Sequence, residues 1–307
     1  MFLDIIFKKG KIIKMALNKK GVLCTVGAMS MLFTGTVGVS AYQGIREEIL
    51  LEKAKAEKEK ELIAKEKARE EALALKYTGT KREFIDYAYD AQVVSEMLMS
   101  KKYNTDEKMV FFTFDNITSS DVADTITQMF NEFNAKGTFF YSGKQLENIK
   151  STAGPVVEKL YNEGNSIGNR SYSDSYKTLF PGGRINAENF MKEYAKTDEV
   201  LQSILGGNFK TRAYRCPGGS MSWRGVNDFS KENSEKESFA IIDWNVAPQA
   251  SSSKDGTSIA ESAIKSSEGK DVVVLLVPKL NEEKMGEFLQ KTLTWYDANG
   301  YTFKSLG

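Results

Sequence analysis

Hydrophobic and polar positions divide the chain into stretches with three different patterns. Residues 21–43 contain no charged side chain, and residues 45–76 are rich in Ala, Glu, Lys, Leu and Arg without Gly or Pro. From residue 109 onward, short apolar runs alternate with segments of helical periodicity. This alternation is typical of an α/β fold with parallel strands. We therefore predict a hydrophobic N-terminal segment, a long charged helix and a C-terminal α/β domain.

The apolar runs and amphipathic segments of the C-terminal part predict individual elements. The predicted strands are 110–114, 138–141, 166–168, 211–215, 239–244, 272–277 and 301–304. The predicted helices are 120–134, 154–162, 186–205 and 282–299. Ahead of them, Phe84, Tyr87, Ala88, Ala91, Val94 and Met97 form a stripe that predicts one amphipathic helix packed on the domain.

The uncharged stretch 21–43 follows a lysine-rich N-terminus and has the length of a membrane-spanning helix. Basic residues before such a helix predict a cytoplasmic N-terminus and a C-terminal domain outside the cell. A cleaved signal peptide competes with this interpretation, because small residues precede a cleavage position near Ala41, and the domain would then be secreted. A buried helix of a soluble domain would leave the basic flank unexplained. We favour the anchor, which predicts a cell-membrane protein.

This interpretation gives the domain boundaries. They are a basic cytoplasmic segment 1–20, an anchor or signal peptide 21–43, a helical stalk 44–76, a linker with a packing helix 77–107, and the domain 108–307. The stalk is most simply a solvated helix. Ile49, Ala56 and Ile63 recur every seven residues, which keeps self-association through a coiled coil as an alternative.

Composition removes several function classes. The chain has 42 basic and 41 acidic residues, so its charge does not indicate a nucleic-acid partner. Its two cysteines do not suggest a disulfide framework. Histidine is absent, and with it the commonest zinc ligand and the commonest general base at neutral pH.

The first strand of the domain ends in two polar residues, Asp115 and Asn116. Barrels and doubly wound sheets carry their chemistry at the C-terminal ends of such strands. Taken alone, the pair also fits a turn and a helix cap before the polar segment 118–121.

Four stretches in order resemble motifs of the polysaccharide deacetylase family, also called the NodB-homology domain. They are Thr113-Phe114-Asp115-Asn116, Gly168-Asn169-Arg170-Ser171-Tyr172-Ser173-Asp174, Arg215-Cys216-Pro217-Gly218-Gly219 and Asp243-Trp244-Asn245-Val246. The likeness covers about residues 108–307 and rests on the order and spacing of the motifs. It implies a distorted (β/α) barrel whose rim holds a divalent metal such as zinc and removes acetyl groups from sugars.

The resemblance also implies roles for single residues. Asp115 takes the position of the catalytic base, and Arg215 that of its partner. The metal positions, Asp, His and His in the family, are occupied here by Asn116, Arg170 and Asp174.

Further positions concern the general acid and the substrate. Pro278 stands where the family places a histidine acting as general acid. We expect Tyr172, Gly218 and Trp244 to contact substrate, with aromatic rings stacking on sugars, although such aromatics are commonly core residues.

The altered metal positions change the expected chemistry. A metal-bound water has a pKa near 7, compared with about 15.7 for free water. Arg170 cannot coordinate a cation and Asn116 is neutral, so only Asp174 remains a charged ligand. We expect no metal cofactor, and we hypothesise that Arg170 replaces the charge of the metal by pairing with Asp115 or Asp174.

Three functions follow as alternatives. The first is a catalytically inactive envelope protein that binds N-acetylated cell-wall glycan or regulates an active relative. The second is a working deacetylase in which Asp115, Asp174 and Asp243 hold a cation such as zinc or activate water directly. The third is a membrane-tethered scaffold that acts through protein contacts.

Overall fold

The computed structural model describes residues 36–103, 105–237, 239–251 and 255–307. The chain divides into two units, Met1–Arg69 and Glu70–Gly307. The predicted segment 1–20, and residues 21–35 of the predicted anchor, lie outside the described residues. Within the ranges given, no helix combines the length and the apolar character needed to cross a bilayer.

The described part of the first unit is helical. Helix α1 is Thr36–Lys76, so it begins before residue 44, the predicted start of the helical stalk. Leu50, Leu51, Leu62 and Ile63 are each more than half exposed on it. Self-association through this helix stays a prediction.

The second unit alternates strands and helices in the predicted manner. Its described strands are β1 (Ala88–Tyr89), β2 (Met109–Asp115), β3 (Thr138–Tyr141), β4 (Ser166–Asn169), β5 (Ala213–Tyr214), β6 (Ala240–Ile241), β7 (Val272–Leu276), β8 (Thr302–Phe303) and β9 (Ser305–Leu306). Its described helices are α2 (Ala91–Ser100), α3 (Ser120–Glu132), α4 (Gly143–Asn148), α5 (Lys150–Asn162), α6 (Tyr176–Leu179), α7 (Ala187–Leu205), α8 (Val226–Glu237), α9 (Gly256–Ser267) and α10 (Glu282–Ala298).

Seven of the described strands form one sheet in the order β6-β5-β4-β3-β2-β7, with β8 beside the start of β2. Every pairing in it is parallel. Beyond β6, Val246 forms a bridge to Leu275 of β7, so the sheet curls back toward its other edge. The predicted α/β barrel class is confirmed as a curled half-barrel. The C-terminal ends of its strands meet at one rim.

The side-chain alternation of β2 separates two layers of the core. Phe111 lies in an interior cluster with Phe140 and Val274, whereas Phe112 and Phe114 lie in the larger cluster that includes buried residues of α3 and α10. Successive strand side chains point to opposite faces, and both faces of β2 are buried. This explains the nearly continuous apolar sequence of the strand.

The single helix predicted from the stripe between Phe84 and Met97 is wrong. Residues Arg82–Tyr87 form a 3₁₀ turn, and β1 then pairs in parallel with β9. Helix α2 begins only after Asp90, whose carboxylate accepts a hydrogen bond from the Gln92 amide at 2.9 Å. Pairing with a distant strand and an N-cap therefore override the helical periodicity.

Helices α4, α6, α8 and α9 were not predicted. Strands β5 and β6 are shorter than expected. Strand β5 covers only Ala213–Tyr214 of the predicted 211–215, and β6 only Ala240–Ile241 of 239–244. The residues that follow these strands leave the sheet at the rim.

Candidate functional site

Asp115 ends β2 and is the centre of the rim. Its Oδ1 accepts a hydrogen bond from Arg215 Nη1 at 3.0 Å, and its Oδ2 accepts one from Arg170 Nη1. About a fifth of its side chain, 21%, is exposed. Both carboxylate oxygens are therefore engaged by guanidinium groups.

Arg215 directly follows β5 and is fully buried. Besides Asp115, its donors reach Thr113 Oγ1 at 2.9 Å and the Ile242 carbonyl at 3.4 Å. Its guanidinium carbon lies 4.2 Å from the ring centre of Phe140. Burial lowers the pKa of Arg215, and the attraction of Asp115 opposes this. The side chain thus fixes Asp115 from below the rim.

Arg170 directly follows β4 and lies between two carboxylates. It contacts Asp115, and its Nε donates to Asp174 Oδ2 at 3.2 Å. Burial disfavours the charged guanidinium, but the combined attraction of the two carboxylates is larger and raises the pKa of Arg170. The hypothesised pairing is thus present with both partners.

The turn between Arg170 and Asp174 is not helical. Ser171 and Asp174 have φ values of 58° and 52°, which is the left-handed region that non-glycine residues seldom adopt. The Asn169 side chain accepts from the Ser171 amide, and Ser171 Oγ accepts from the Asp174 amide, each at 2.9 Å. These bonds place Asp174 beside Arg170 without a helix.

Asp174 is incompletely satisfied. Its Oδ1 is buried and has no hydrogen-bond partner among the described residues. Burial raises the pKa of Asp174, and Arg170 compensates only in part.

Asn116 also adopts the left-handed conformation, with φ 53°. Its side-chain Oδ1 accepts a hydrogen bond from the main-chain amide of Ser142 at 2.9 Å, and its main-chain amide donates one to the Phe140 carbonyl at 2.8 Å. The side chain closes the rim between β2 and β3, so its oxygen is already used.

Asp243, the third carboxylate of the predicted cation site, binds Ser220 and Met221 instead. It accepts from the Ser220 amide at 2.8 Å, from the Ser220 hydroxyl at 2.7 Å and from the Met221 amide at 3.2 Å. It therefore anchors the loop that follows Arg215.

The residues at this rim do not fit a divalent metal. In the part of the chain that the structure describes, no three His, Cys, Asp or Glu side chains converge to hold an ion. A guanidinium lies between the two rim carboxylates and would repel a cation there. Hard cations need several oxygen ligands, and only Asp174 Oδ1 is uncommitted among the oxygens considered above.

The three residues predicted to contact substrate lie in three different environments. The Tyr172 hydroxyl donates to Glu147, and the Lys196 ammonium lies 3.5 Å from the centre of its ring, so that face is covered. Gly218 is exposed at the rim with φ 65°, and Trp244 is half-buried. Contact of any of them with substrate stays a prediction.

Sequence reasoning missed two features. Asp198 is buried in α7 and accepts from Thr211 Oγ1 at 2.5 Å and from Asn169 at 3.2 Å; burial raises its pKa. The second feature is a cavity of about 330 Å³ between Trp244 and the C-terminal end of α2. The sequence around Asp198 is that of an ordinary charged helix, so nothing in it indicates that this carboxylate is buried. The apolar stripe of α2 predicts packing on the domain but does not indicate a cavity.

Comparison with known proteins agrees with the fold. The family model described as polysaccharide deacetylase matches residues 102–233. A peptidoglycan-N-acetylglucosamine deacetylase of Bacillus cereus is 27% identical over 147 residues, which are 48% of this chain and 47% of that protein. The match thus spans about half the length of this relative.

Two further proteins match over a larger share of their length. An uncharacterised 30.6 kDa protein of Geobacillus stearothermophilus is 30% identical over 205 residues, 65% of this chain and 70% of that protein. The solved structure of a Streptococcus mutans CE4 esterase superposes with a TM-score of 0.62 at 26% identity, covering 75% of this chain and 96% of that one.

Proposed function

Since the chain belongs to the polysaccharide deacetylase family, we propose that it is a cell-envelope member that binds N-acetylated glycan at its rim without deacetylating it. The envelope location is part of the proposal. It rests on the uncharged segment 21–43 and on the basic residues before it.

The observation that carries this proposal is the position of Arg170 between Asp115 and Asp174. Deacetylation at neutral pH needs an activated water, and a bound metal is the usual way to obtain one. Here the guanidinium of Arg170, which is a fixed positive charge, takes the place of an exchangeable metal ion. The carboxylates are held together, but no water is activated.

The site also lacks a suitable general acid and a free general base. The sequence contains no histidine, and Pro278 follows the apolar strand where a general acid is expected from the resemblance. Both oxygens of Asp115 are engaged by guanidinium donors. A base in this position would have to break an ion pair before it accepted a proton.

Glycan binding is supported by side chains exposed near the rim. Tyr176 is 48% exposed and Met221 is 58% exposed, and Trp244 is half-buried. Aromatic rings and apolar patches of this kind stack on the apolar faces of sugars. The Bacillus cereus relative is named for peptidoglycan, which makes cell-wall glycan the first candidate.

A scaffold function is a second candidate, because Leu50, Leu51, Leu62 and Ile63 are exposed on α1. A dimer that depends on residues 45–76, together with no saturable glycan binding, would favour it.

The test compares the wild-type chain with a variant carrying Asn116→Asp, Arg170→His and Asp174→His. We expect wild type to hold no stoichiometric zinc, to release no acetate from chitooligosaccharides and to bind a tetramer of N-acetylglucosamine saturably in calorimetry. We expect zinc only in the triple variant. Zinc content with acetate release by wild type would refute the inactive assignment, and absent binding of this tetramer and of cell-wall glycan would refute the glycan assignment.

A further inference from the structure

The cavity beside Trp244 is lined mostly by residues that lie on either side of the matched family region, residues 102–233. Leu98, Met99 and Lys101 line it from the end of α2 and the residue that follows, and all three precede residue 102, where the family match begins. Trp244 and Met221 also line the cavity. Its volume of about 330 Å³ is at the lower end of small-ligand sites and suits one sugar unit.

The polar side chains deeper in the lining are already committed. Asn245 accepts from the Val274 amide and donates to the Val272 carbonyl, each at 2.8 Å. Asp243 binds the Ser220 and Met221 main chain, and its charge attracts the buried Arg215. Neither residue is therefore free to bind an incoming ion.

Lys101 is different. It is exposed, and its ammonium has no ion-pair partner among the residues that the structure describes. Its backbone ends α2 with φ 55°, a conformation in which glycine is the usual residue. The cavity thus combines apolar and aromatic walls with one exposed ammonium group, while its carboxylate, Asp243, is buried and hydrogen-bonded to Ser220 and Met221.

We propose that this cavity binds a carboxylate-bearing amino sugar, the N-acetylmuramic acid unit of cell-wall glycan. Its apolar face stacks on Trp244, and its lactyl carboxylate pairs with the Lys101 ammonium. This inference rests on the proposed glycan binding and names the sugar unit that it selects. N-acetylglucosamine has the same ring without the carboxylate, so the charge provides the discrimination.

The test measures three ligands of equal length on the full-length chain by calorimetry. They are the tetramer of N-acetylglucosamine, a peptide-free tetrasaccharide that alternates N-acetylglucosamine with N-acetylmuramic acid, and the methyl ester of that tetrasaccharide. The ester keeps the bulk of the lactyl group and removes its charge. Each ligand is measured on wild type, on Lys101→Met and on Lys102→Met, the matched control whose exposed lysine does not line the cavity.

We expect the acidic tetrasaccharide to bind wild type roughly threefold to fivefold more tightly than the neutral tetramer, the size typical of a solvent-accessible ion pair. The advantage should decrease with added salt, disappear in the ester and in Lys101→Met, and persist in Lys102→Met. Methyl NMR signals of Met99 and Met221 should shift on binding, while that of Met285, buried in the core, should not.

The outcomes separate this inference from the proposed function. Equal binding of the acidic and neutral ligands overturns the Lys101 site and leaves glycan binding intact. An advantage that survives in the ester or in Lys101→Met, or unshifted Met99 and Met221 signals, also overturns it. If neither the neutral tetramer nor the acidic tetrasaccharide binds, the proposed function itself is wrong.

Discussion

Arg170 binds Asp115 across 55 positions of sequence, through a hydrogen-bonded ion pair at the rim of the half-barrel. Arg215 holds the other oxygen of the same carboxylate from below. With Asp174 on the far side of Arg170, two carboxylates and two guanidiniums balance in charge. These four side chains therefore carry no net charge together.

Replacing Arg170 should destabilise the domain. Arg170→Met leaves Asp115 and Asp174 without the cation between them, and we expect a loss of about 1 to 3 kcal/mol in the free energy of unfolding. Urea denaturation at neutral pH measures it, with Arg184→Met, an exposed arginine, as the control.

A double-variant cycle identifies the cause. Asp174→Asn removes one of the two like charges, so it should reduce the cost of Arg170→Met. Strictly additive costs would show that Arg170 does not act through Asp174.

Arg215 should tolerate even a conservative change poorly. Its planar group binds Asp115, Thr113 and the Ile242 carbonyl at once and stacks on Phe140, and lysine cannot reproduce this geometry. We expect Arg215→Lys to cost about 2 to 4 kcal/mol, measured by urea denaturation. Exposed Arg224→Lys serves as the comparison, and an equal, small loss in both variants would contradict the structural role of Arg215.

The sequence predicted the features that depend on local pattern. The apolar run before Asp115 identified a strand buried on both faces, and motif order placed Asp115, Arg170 and Arg215 at strand ends that a parallel sheet brings to one rim. The pairing of Arg170 was predicted from the resemblance, which places this residue at a metal position, together with charge, since two nearby carboxylates need a cation.

Features that depend on distant contacts were not predictable. The left-handed turn at Ser171 and Asp174 is held by Asn169, and no local conformational propensity of these residues predicts it. Strand β1 exists only because β9 lies beside it. The cavity near Lys101 requires α2 to meet the residues after β6, which the apolar stripe does not reveal.

The pH dependence of stability should show that burial outweighs pairing at Asp174. Burial raises the pKa of Asp174 above its ordinary value. Between the two values the folded state holds a proton that the unfolded state has released, so stability contributed by this group falls as pH rises.

Relative to Asp174→Asn, wild type should therefore lose stability as the pH increases from about 4 through the raised pKa. Urea denaturation across this range measures the difference, with Asp106→Asn, at an exposed position, as the control variant. If the stability of wild type instead rises with pH relative to Asp174→Asn, Arg170 lowers the pKa of Asp174.

Gly218 should resist substitution for two separable reasons. Its φ of 65° is unfavourable for any residue with a Cβ, and an added Cβ would lie 2.6 Å from the Tyr176 hydroxyl oxygen. We expect Gly218→Ala to cost about 1 to 2 kcal/mol in thermal or urea unfolding. In a Tyr176→Ala background only the backbone part, about 1 kcal/mol, should remain. Gly207→Ala, where the Cβ meets open space, should be close to neutral, and an identical cost at position 218 in both backgrounds would show that Tyr176 does not lie over Gly218.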